Sequence, residues 1–430
     1  MRDLLGRLVG SFGRTASQRS AERLAQRLRL LASQRGEASG AVLARRAVGL
    51  YGRLDDAGRR HLFDVLARDF SPDRKEVLDA AAAYHNAPTA ANLARLQRVT
   101  EPLRQEIFRR MNMAPGGTAT LLALRTDLMA AMKDNPELAV VDQDLAHLLA
   151  SWFNRGFLEL RRIDWNTPAS ILEKLIAYEA VHEIRGFPDL KRRLEHDRRC
   201  FAFFHPALPH EPLIFVEVAL VDETPSDVAP ILATESAVTD PRRARCAVFY
   251  SITSTQAGLR GVSFGNFLIK QVAEDLHAEL PNLKVFATLS PIPGLRQWAE
   301  REAPGVAAVS DSAAPTGQHD REALEALAAF YLTREWQGSQ ALDPVARFHL
   351  GNGARLERIN WRADMSTKGV AQSYGMMVNY VYDLPMVERN HEEYMNRHHV
   401  VCSGAVDKLA RGAEPLLART PTTPSAHVPG

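Results

Sequence analysis

The stretch that decides the fold is Ser254-Thr-Gln-Ala-Gly-Leu-Arg-Gly-Val-Ser-Phe-Gly-Asn-Phe-Leu-Ile-Lys270. An apolar segment with β character, 247–252, precedes it, and a helical pattern of apolar residues follows it. The order of strand, glycine-containing loop and helix aims backbone N–H groups and the positive end of a helix dipole at one point, which suits an anion. Gly258 and Gly261 permit close approach of the backbone and positive φ angles, and Ser263 is a candidate N-cap.

This loop does not have the spacing of a familiar phosphate-binding motif. It lacks the Gly-Lys-Ser/Thr of the Walker loop, which argues against an NTPase, and it does not match the dinucleotide fingerprint. An ordinary tight turn between a strand and a helix is the alternative interpretation, and the loop sequence alone leaves both open.

The composition is that of an ordinary globular protein. The length of 430 residues predicts two domains, or three, and 46% hydrophobic with 24% charged residues is ordinary for a globular protein with a large core. A formal net charge of +2 argues against dedicated nucleic-acid binding. The 3 cysteines form no CxxC pair, which excludes a disulfide scaffold and a cysteine-rich zinc site and fits a reducing compartment. We expect no membrane span, since no apolar run is long enough.

The N-terminal segment Met1–Arg14 is amphipathic and rich in arginine. It lacks the apolar core of a secretory signal, but mitochondrial transit segments share its character. Asp3 and the arginine and alanine content of the whole chain favour an ordinary first helix, and the C-terminus is not a peroxisomal address. We therefore expect a bacterial cytoplasmic protein, with a mitochondrial location as the alternative if Met1–Arg14 is a transit segment.

The two halves of the chain differ in character. Residues 1–190 follow helical periodicity with almost no strand signal, which predicts an all-α helical bundle. Residues 191–412 predict a mixed α/β domain, so the fold class is α+β. The tail, 413–430, is rich in Pro, Thr and Ala and is expected to be flexible. In the second half we predict strands at 199–204 and 213–220 as an antiparallel hairpin, then at 245–252, 283–290, 354–361 and 373–380, with a helix at 319–337.

Two residues are candidates for the chemistry. Ser290 ends a predicted strand before a rigid Pro-x-Pro-Gly, and its hydroxyl can donate to and accept from a substrate. His349 lies in a loop-like stretch flanked by glycines, and imidazole is the side chain best suited to proton transfer near neutral pH. A turn cap for the serine and a structural role for the histidine are the alternatives. The chain has no Gly-x-Ser-x-Gly elbow, so an α/β-hydrolase is not indicated.

Other polar side chains are weaker candidates. Tyr380 and Tyr382 point to the same face of a late strand, where one of them could donate to a ligand. Glu217 alternates within a strand and is either core-facing and functional or solvent-facing. The pairs His182-Glu183 and His205/His210 do not have a metal spacing such as HExxH, so we assign no metal.

Several long blocks, in order along the chain, carry a resemblance to a known family. They include Asp197–Pro206, Glu211–Leu220, Gly261–Lys270, Leu289–Gly294 and Phe348–Ala354. Together they resemble the malonyl-CoA decarboxylase family, strongly over residues 165–385 and more loosely over the helical half. The order of the blocks makes the match specific in a way that no single motif is.

The resemblance implies a helical domain used in self-association, followed by a catalytic domain like the GCN5-related acetyltransferases. The catalytic serine of the family falls on Ser290, its catalytic histidine on His349 and a supporting tyrosine on Tyr382. Some relatives have a glutamate where this chain has Ser263, so we expect Ser263 to act mainly as a cap. The acyl-CoA-binding run of the family falls on Arg260, Gly261, Val262, Ser263, Phe264, Gly265 and Asn266.

The implied activity is conversion of malonyl-CoA to acetyl-CoA and CO2 through a thioester enolate. His349 would protonate the enolate, Ser290 would position the malonyl group and Tyr382 would orient the histidine or the substrate. No cofactor or metal is expected, because the thioester accepts the electrons itself. The expected assembly is a homo-oligomer, with a tetramer favoured. Two alternatives stay open: an acyl-CoA-dependent acyltransferase with Glu217 as base, and a non-catalytic acyl-CoA-binding scaffold.

Overall fold

A computed structural model of the chain describes residues 15–33, 37–262, 268–307 and 318–417. The described residues divide into two compact units. The first unit holds the chain up to Leu158 together with His205–Pro209 and 256–262, and the second holds the rest. The first is helical and the second combines helices with a sheet, so the α+β fold class is confirmed.

The first unit is a bundle of amphipathic helices. In its first helix Leu24, Leu28 and Leu31 are buried, at the spacing that places side chains on one helical face. Asp55 and Asp73 cap later helices by accepting backbone hydrogen bonds from their first turns. The helices are α1 (Ala16–Ser33), α2 (Glu37–Tyr51), α3 (Asp56–Asp69), α4 (Arg74–Asn86), α5 (Ala90–Thr100), α6 (Leu103–Asn112), α7 (Gly117–Ala131) and α8 (Ala139–Trp152).

The second unit is built on an eight-stranded sheet in the order β1-β2-β3-β4-β5-β10-β6, with β9 paired to β10. The predicted hairpin of β2 and β3 is antiparallel and therefore confirmed. The strands are β1 (Glu159–Ile163), β2 (Arg198–Phe204), β3 (Ile214–Val221), β4 (Cys246–Ser254), β5 (Val285–Thr288), β6 (Ser290–Pro291), β9 (Arg355–Asn360) and β10 (Met377–Val381); β7 (Trp336–Gln337) and β8 (Gln340–Ala341) form a separate ribbon.

Helices cover this sheet, so its central strands are buried on both faces. In β3 every residue from Ile214 to Leu220 is buried, which explains why its sequence is apolar except for Glu217. The helices of the second unit are α9 (Ala169–Tyr178), α10 (Phe187–Arg193), α11 (Ala229–Leu232), α12 (Leu268–Glu279), α13 (Leu295–Glu302), α14 (Pro304–Ala307), α15 (Gln318–Arg334), α16 (Pro344–Gly351), α17 (Thr367–Ser373), α18 (Val387–Arg397) and α19 (Gly404–Leu417).

β4 and β5 are parallel, unlike the other pairs among the described strands of this sheet. Parallel neighbours need a crossover connection, and here the connection contains α12. The predicted order of strand, loop, helix and strand around the opening stretch is thus confirmed. Ser263 and the rest of 263–267 lie outside the described residues.

Three strands were missed by the sequence interpretation: β1, β7 and β8. The helix predicted at 319–337 ends at Arg334, and β7 takes its last two positions. β1 lies within the half predicted to be all helical, and it pairs with β2 at the edge of the sheet. Its sequence Glu-Leu-Arg-Arg-Ile is charged, and four of its five positions are exposed or half-buried. Charged, exposed edge strands carry little apolar alternation, which is why periodicity did not reveal it. The domain limits at 190 and 412 stay predictions; α19 ends at Leu417, and 418–430 lie outside the described residues.

Within the described ranges, no helix is long and apolar enough to cross a membrane.

Gly353 provides a test of the packing that ends α16. Its φ is +80°, and a Cβ built there would lie 2.1 Å from the Val387 carbonyl oxygen. We expect Gly353→Ala to lower the free energy of unfolding by at least about 2 kcal/mol, since it combines backbone strain with overlap. Chemical denaturation of the purified variant measures the change.

Gly351→Ala is the matched control, because a Cβ at Gly351 meets nothing within 4 Å. We expect it to change stability by less than about 1 kcal/mol. Equal stability of the two variants would contradict the packing described for Gly353.

Candidate active site

Ser290, His349 and Tyr382 come together from three segments of the second unit. Ser290 Oγ lies 3.0 Å from His349 Nε2. On the other side of the ring, His349 Nδ1 lies 2.8 Å from the Tyr382 hydroxyl. All three side chains are buried. The three residues singled out from the sequence therefore form one hydrogen-bonded chain.

Ser290 is held by the sheet and by the turn that follows it. It begins β6 and pairs with Val378 of β10. The Leu289 N–H just before it donates to the Phe249 carbonyl of β4. Gly294 ends the Pro-x-Pro-Gly segment, and a Cβ there would lie 2.3 Å from the Tyr331 hydroxyl, so this position requires glycine. The serine is thus held by strand pairing, and the segment that follows it packs against the side chain of Tyr331.

His349 lies on helix α16, so the expectation of a loop-like stretch was wrong. Asp343 is the N-cap and accepts hydrogen bonds from the Val345 and Ala346 N–H groups. Pro344 occupies the first turn, where its lack of an N–H has no cost. Burial raises the pKa of Asp343 to about 6, although the two N–H donors act in the opposite direction. The helix presents the imidazole between Ser290 and Tyr382.

Two further residues complete the surroundings of the imidazole. Ser290 Oγ donates to Thr288 Oγ1 at 2.9 Å, and that oxygen also accepts the Tyr380 N–H at 3.1 Å. The Tyr380 ring stacks on the imidazole with centroids 4.6 Å apart. Thr288 was missed by the sequence interpretation, although its position two residues before Ser290 places both side chains on one face of an extended segment.

The hydrogen bonds determine where the protons lie. Among the described residues, the Tyr382 hydroxyl has His349 Nδ1 as its hydrogen-bond partner, so the hydroxyl donates and Nδ1 accepts. The Ser290 hydroxyl donates to Thr288, so its lone pairs are free to accept from Nε2. From these partners we infer the tautomer with its hydrogen on Nε2, directed at Ser290. This arrangement suits donation to a substrate and leaves the serine unactivated as a nucleophile.

Burial dominates the electrostatics of this site. It lowers the pKa of His349 to about 3, because the charged imidazolium would lose its hydration. Burial also raises the pKa of Tyr382 well above its ordinary value. The histidine is therefore neutral and the tyrosine is protonated near pH 7, in agreement with the proton placement above.

The predicted acyl-CoA-binding run is described only in part. Arg260, Gly261 and Val262 belong to the first unit, while Ser263, Phe264, Gly265 and Asn266 lie outside the described residues. Gly261 has a φ of +76°. A Cβ on nearby Gly258 would lie 2.3 Å from the Leu122 carbonyl oxygen. The positive φ and the close backbone approach expected of these two glycines are both confirmed.

Glu217 faces the core and does not reach solvent. Its carboxylate forms an ion pair of 2.7 Å with Arg193, and its side chain is 1% exposed. Burial raises its pKa to about 8, while Arg193 acts in the opposite direction. Among the other histidines, burial lowers the pKa of His182 to about 4, and His205 Nε2 lies 3.1 Å from the Trp152 carbonyl oxygen. In the part of the chain that the structure describes, no three His, Cys, Asp or Glu side chains are grouped as a metal site.

Two family models match this chain. The malonyl-CoA decarboxylase C-terminal domain matches residues 156–420. The malonyl-CoA decarboxylase N-terminal domain matches residues 70–153. Together the models cover most of both halves of the chain.

Curated relatives agree with the family models. The mitochondrial malonyl-CoA decarboxylase of Anser anser anser is 36% identical over 409 residues, which cover 84% of this chain and 81% of the relative. The mitochondrial malonyl-CoA decarboxylase of Mus musculus is 34% identical over 412 residues, covering 84% of each chain.

Solved structures agree as well. The malonyl-CoA decarboxylase of Rhodopseudomonas palustris superposes with a TM-score of 0.86 at 45% identity, covering 90% of this chain and 99% of that one. The enzyme of the same name from Agrobacterium vitis gives a TM-score of 0.84 at 44% identity, with the same coverage. Because its family models, its curated relatives and the solved structures agree, this chain belongs to the malonyl-CoA decarboxylase family.

Proposed function

We propose that this chain is a carboxy-lyase that converts malonyl-CoA to acetyl-CoA and CO2 at Ser290 and His349. The observation that carries the proposal is the buried hydrogen-bonded chain from Tyr382 through His349 to Ser290, in a member of this family. Relatives named malonyl-CoA decarboxylase support the reaction itself. The assignment of steps to residues rests on the geometry and on the resemblance.

The chemistry needs two things from the protein. When the bond between C2 and the carboxylate carbon breaks, its electron pair moves onto the thioester as an enolate and CO2 leaves. The protein must stabilise the negative charge on the thioester oxygen, where one preorganised donor is worth about 3–4 kcal/mol. It must then deliver one proton to C2, a step that typically contributes about 10²–10⁴-fold.

The three side chains fit these requirements. Ser290 offers a hydroxyl that can hydrogen-bond the malonyl carboxylate or the thioester carbonyl. His349 is the proton donor to C2, and its Nε2–H already lies on the side of Ser290. Tyr382 holds Nδ1 and thereby keeps the ring in this orientation. Thr288 fixes the serine hydroxyl until substrate replaces that contact.

The carboxylate of the bound malonyl group supplies the negative charge that the described residues around His349 lack in the empty site. A neutral imidazole is a weak acid, but a carboxylate placed beside it favours the protonated form. Binding of the malonyl group would therefore raise the pKa of His349 from its low value in the empty site. The imidazolium then gives its proton to C2 after CO2 has left, and the neutral ring is restored as acetyl-CoA departs.

The CoA handle is assigned to the loop between β4 and α12. We propose that Arg260, Gly261 and Val262 begin the acyl-CoA-binding run and that Ser263–Asn266 continue it. The parallel pairing of β4 and β5 across this loop and helix supports the comparison with acetyltransferases. Binding energy from CoA, far from the reacting atoms, can position the malonyl group. Burial of Glu217 in an ion pair weighs against the rival acyltransferase, which would need an accessible base.

Self-association and compartment belong to the proposal too. No side chain of α5 is buried, and Leu93 of α5 and Leu78 of α4 are 38% and 59% exposed. These apolar side chains of the α4–α5 hairpin support a homo-oligomer, with a tetramer favoured. A bacterial cytoplasm is the proposed location. The mitochondrial alternative depends on Met1–Arg14, which lies outside the described residues.

Turnover of malonyl-CoA without any acyl acceptor is the first test. We expect the purified chain to release CO2 and acetyl-CoA, and Ser290→Ala and His349→Asn each to lower kcat by about 100-fold or more, through loss of the donor or of the proton source. Tyr382→Phe keeps the ring but loses the hydroxyl on Nδ1, and we expect a loss of about tenfold. Chromatography of the CoA esters measures each rate.

His147→Asn, on the exposed surface of α8, is the control and should turn over normally. Near-normal kcat in both Ser290→Ala and His349→Asn would defeat the assignment of steps. Transfer of the malonyl group to an added amine would indicate the acyltransferase, and binding without turnover would indicate the scaffold.

The stability of the protein should depend on pH through His349. Its pKa is 6.5 when unperturbed and about 3 in the folded state. Between these values the unfolded chain binds a proton that the folded chain does not, so stability rises with pH and the contribution is complete above the unfolded pKa. From about pH 7.5 to about pH 5, we expect the wild type to lose about 2 kcal/mol more than His349→Asn. Denaturation of both proteins at each pH measures the difference, and parallel pH profiles would show that the imidazole is not held neutral.

The oligomer is tested by changing its proposed contact surface. We expect light scattering to give a tetramer for the wild type and smaller species for Leu78→Glu combined with Leu93→Glu, because burying these charges in an interface is costly. Lys75→Glu, an exposed change on the same helix without apolar loss, is the control. An unchanged mass in the double variant would exclude the α4–α5 hairpin as the contact.

A further inference from the structure

Arg125 is a buried arginine of helix α7 that holds the loop of the opening stretch. Its side chain is 5% exposed, and everything that it contacts here belongs to the first unit. Its Nη1 donates to the Gly258 carbonyl at 2.8 Å and to the Arg260 carbonyl at 2.9 Å. Its Nε donates to Asp142 Oδ1 of α8 at 2.8 Å. One guanidinium thus connects two helices to two carbonyls of the loop.

The chemistry of this contact is specific to arginine. The planar guanidinium presents several N–H donors in fixed directions, so one edge can bind Asp142 while another nitrogen binds the two carbonyls. Hydrogen bonds to a charged group contribute about 1.5–3 kcal/mol each, more than neutral ones. A lysine at this position would keep the charge, but its single ammonium group could not bind Asp142 and the two loop carbonyls in the directions that the guanidinium N–H groups do. The carboxylate of Asp142 fixes the orientation of the guanidinium.

The backbone of the loop is also seated directly on α7. A Cβ on Gly258 would lie 2.3 Å from the Leu122 carbonyl oxygen, so the two backbones are in contact. Gly258 lies in a short 3-10 turn, Ala257–Leu259, and Gly261 beyond it has a φ of +76°. Arg125 and Gly258 therefore restrain the same few residues by independent interactions.

We propose that Arg125, oriented by Asp142, is a positioning residue for acyl-CoA binding. It fixes the backbone of 258–260, so that Arg260, Gly261 and Val262, the described start of the acyl-CoA-binding run, are held in one conformation before the ligand arrives. A loop ordered in advance spares the ligand the entropic cost of ordering it. This inference rests on the proposed function, because the ligand of the run is assigned there.

The proposal predicts which kinetic constant changes. In the proposed function this loop binds the CoA handle, whose bonds do not change in the reaction, so we expect it to bind the ground state and the transition state equally. Loss of its order therefore weakens binding and raises KM, while kcat stays the same. A merely structural arginine would lower the stability and the amount of active enzyme, without a selective change in KM.

Arg104 is a matched control in the same unit. It is 4% exposed, and its Nε donates to Asp144 as that of Arg125 does to Asp142. Its other nitrogens donate to the Leu66 and Val140 carbonyls, which lie on helices of the bundle. Arg104 thus has the same kind of carboxylate and carbonyl partners, but none of them belongs to the 256–262 loop.

The experiment compares Arg125→Lys with Arg104→Lys in the full chain. We expect both to lower the thermal midpoint, because each removes hydrogen bonds that a buried guanidinium donates. Only Arg125→Lys should raise KM for malonyl-CoA and the dissociation constant of free CoA, on the order of tenfold, with kcat within about twofold of the wild type. Steady-state assay and calorimetric titration with CoA measure these constants.

A second pair of variants reaches the same loop without changing a charge. Gly258→Ala introduces the overlap with Leu122, and we expect it to raise KM and the CoA dissociation constant as Arg125→Lys does. Gly49→Ala on α2 is its control, because a Cβ there meets nothing within 4 Å. If Arg125→Lys fails to fold, the comparison of Gly258→Ala with Gly49→Ala still tests whether the position of 258–260 controls CoA binding.

The outcomes separate the inference from the proposed function. Equal KM and CoA affinity in each variant and its control would overturn the role of the 258–260 anchor, whatever the turnover. A wild type that binds CoA but leaves malonyl-CoA intact would overturn the proposed decarboxylation, and the CoA affinities would still decide the role of Arg125. A wild type that binds no CoA would overturn both.

Discussion

The site depends on one interaction, the hydrogen bond from the Tyr382 hydroxyl to Nδ1 of His349. Both groups are buried, and this bond favours the neutral imidazole with its Nε2–H directed at Ser290. A buried imidazole without such a partner would be free to exchange tautomers, and its proton would have no fixed direction. Tyr380, stacked on the ring, fixes the plane in which that proton lies.

The sheet delivers these groups to one place through strand β10. This strand pairs with β5, β6 and β9, and so it lies beside the segments that carry Thr288 and Ser290. Its own residues contribute Tyr380, and Tyr382 follows at its end. Helix α16 contributes His349, the third side chain of the site. Because two of these three contributions come from hydrogen-bonded strands, the serine and the tyrosine are held by the register of the sheet, whereas the histidine depends on the packing of one short helix capped by Asp343.

The sequence predicted most of the long strands, but it did not predict which side chains contact the site residues and the loop. Buried strands such as β3 are long apolar runs, and the strand–loop–helix order around Gly258 is a local pattern. The helix under His349 was taken for a loop because nearby glycines outweighed its Asp-Pro start, and β1 was missed because its residues are charged. Thr288 was missed although it lies two residues before Ser290 on the same face of an extended segment. Arg125 could not be identified from pattern, since it contacts a carbonyl 133 residues away. Ser290 and His349 were singled out by position, but their partnership came from the resemblance.

The protonation of His349 is the most direct measurement of the central claim. Nitrogen NMR of the chain labelled at histidine distinguishes a ring nitrogen with hydrogen from one without. In the empty protein we expect hydrogen on Nε2 alone and no titration at pH values well above 3. Adding malonyl-CoA to the Ser290→Ala variant should place hydrogen on both nitrogens, because the substrate carboxylate favours the cation. A ring that titrates near pH 6.5 in the empty protein, or that stays neutral with malonyl-CoA bound, would contradict the role of His349 as the proton donor.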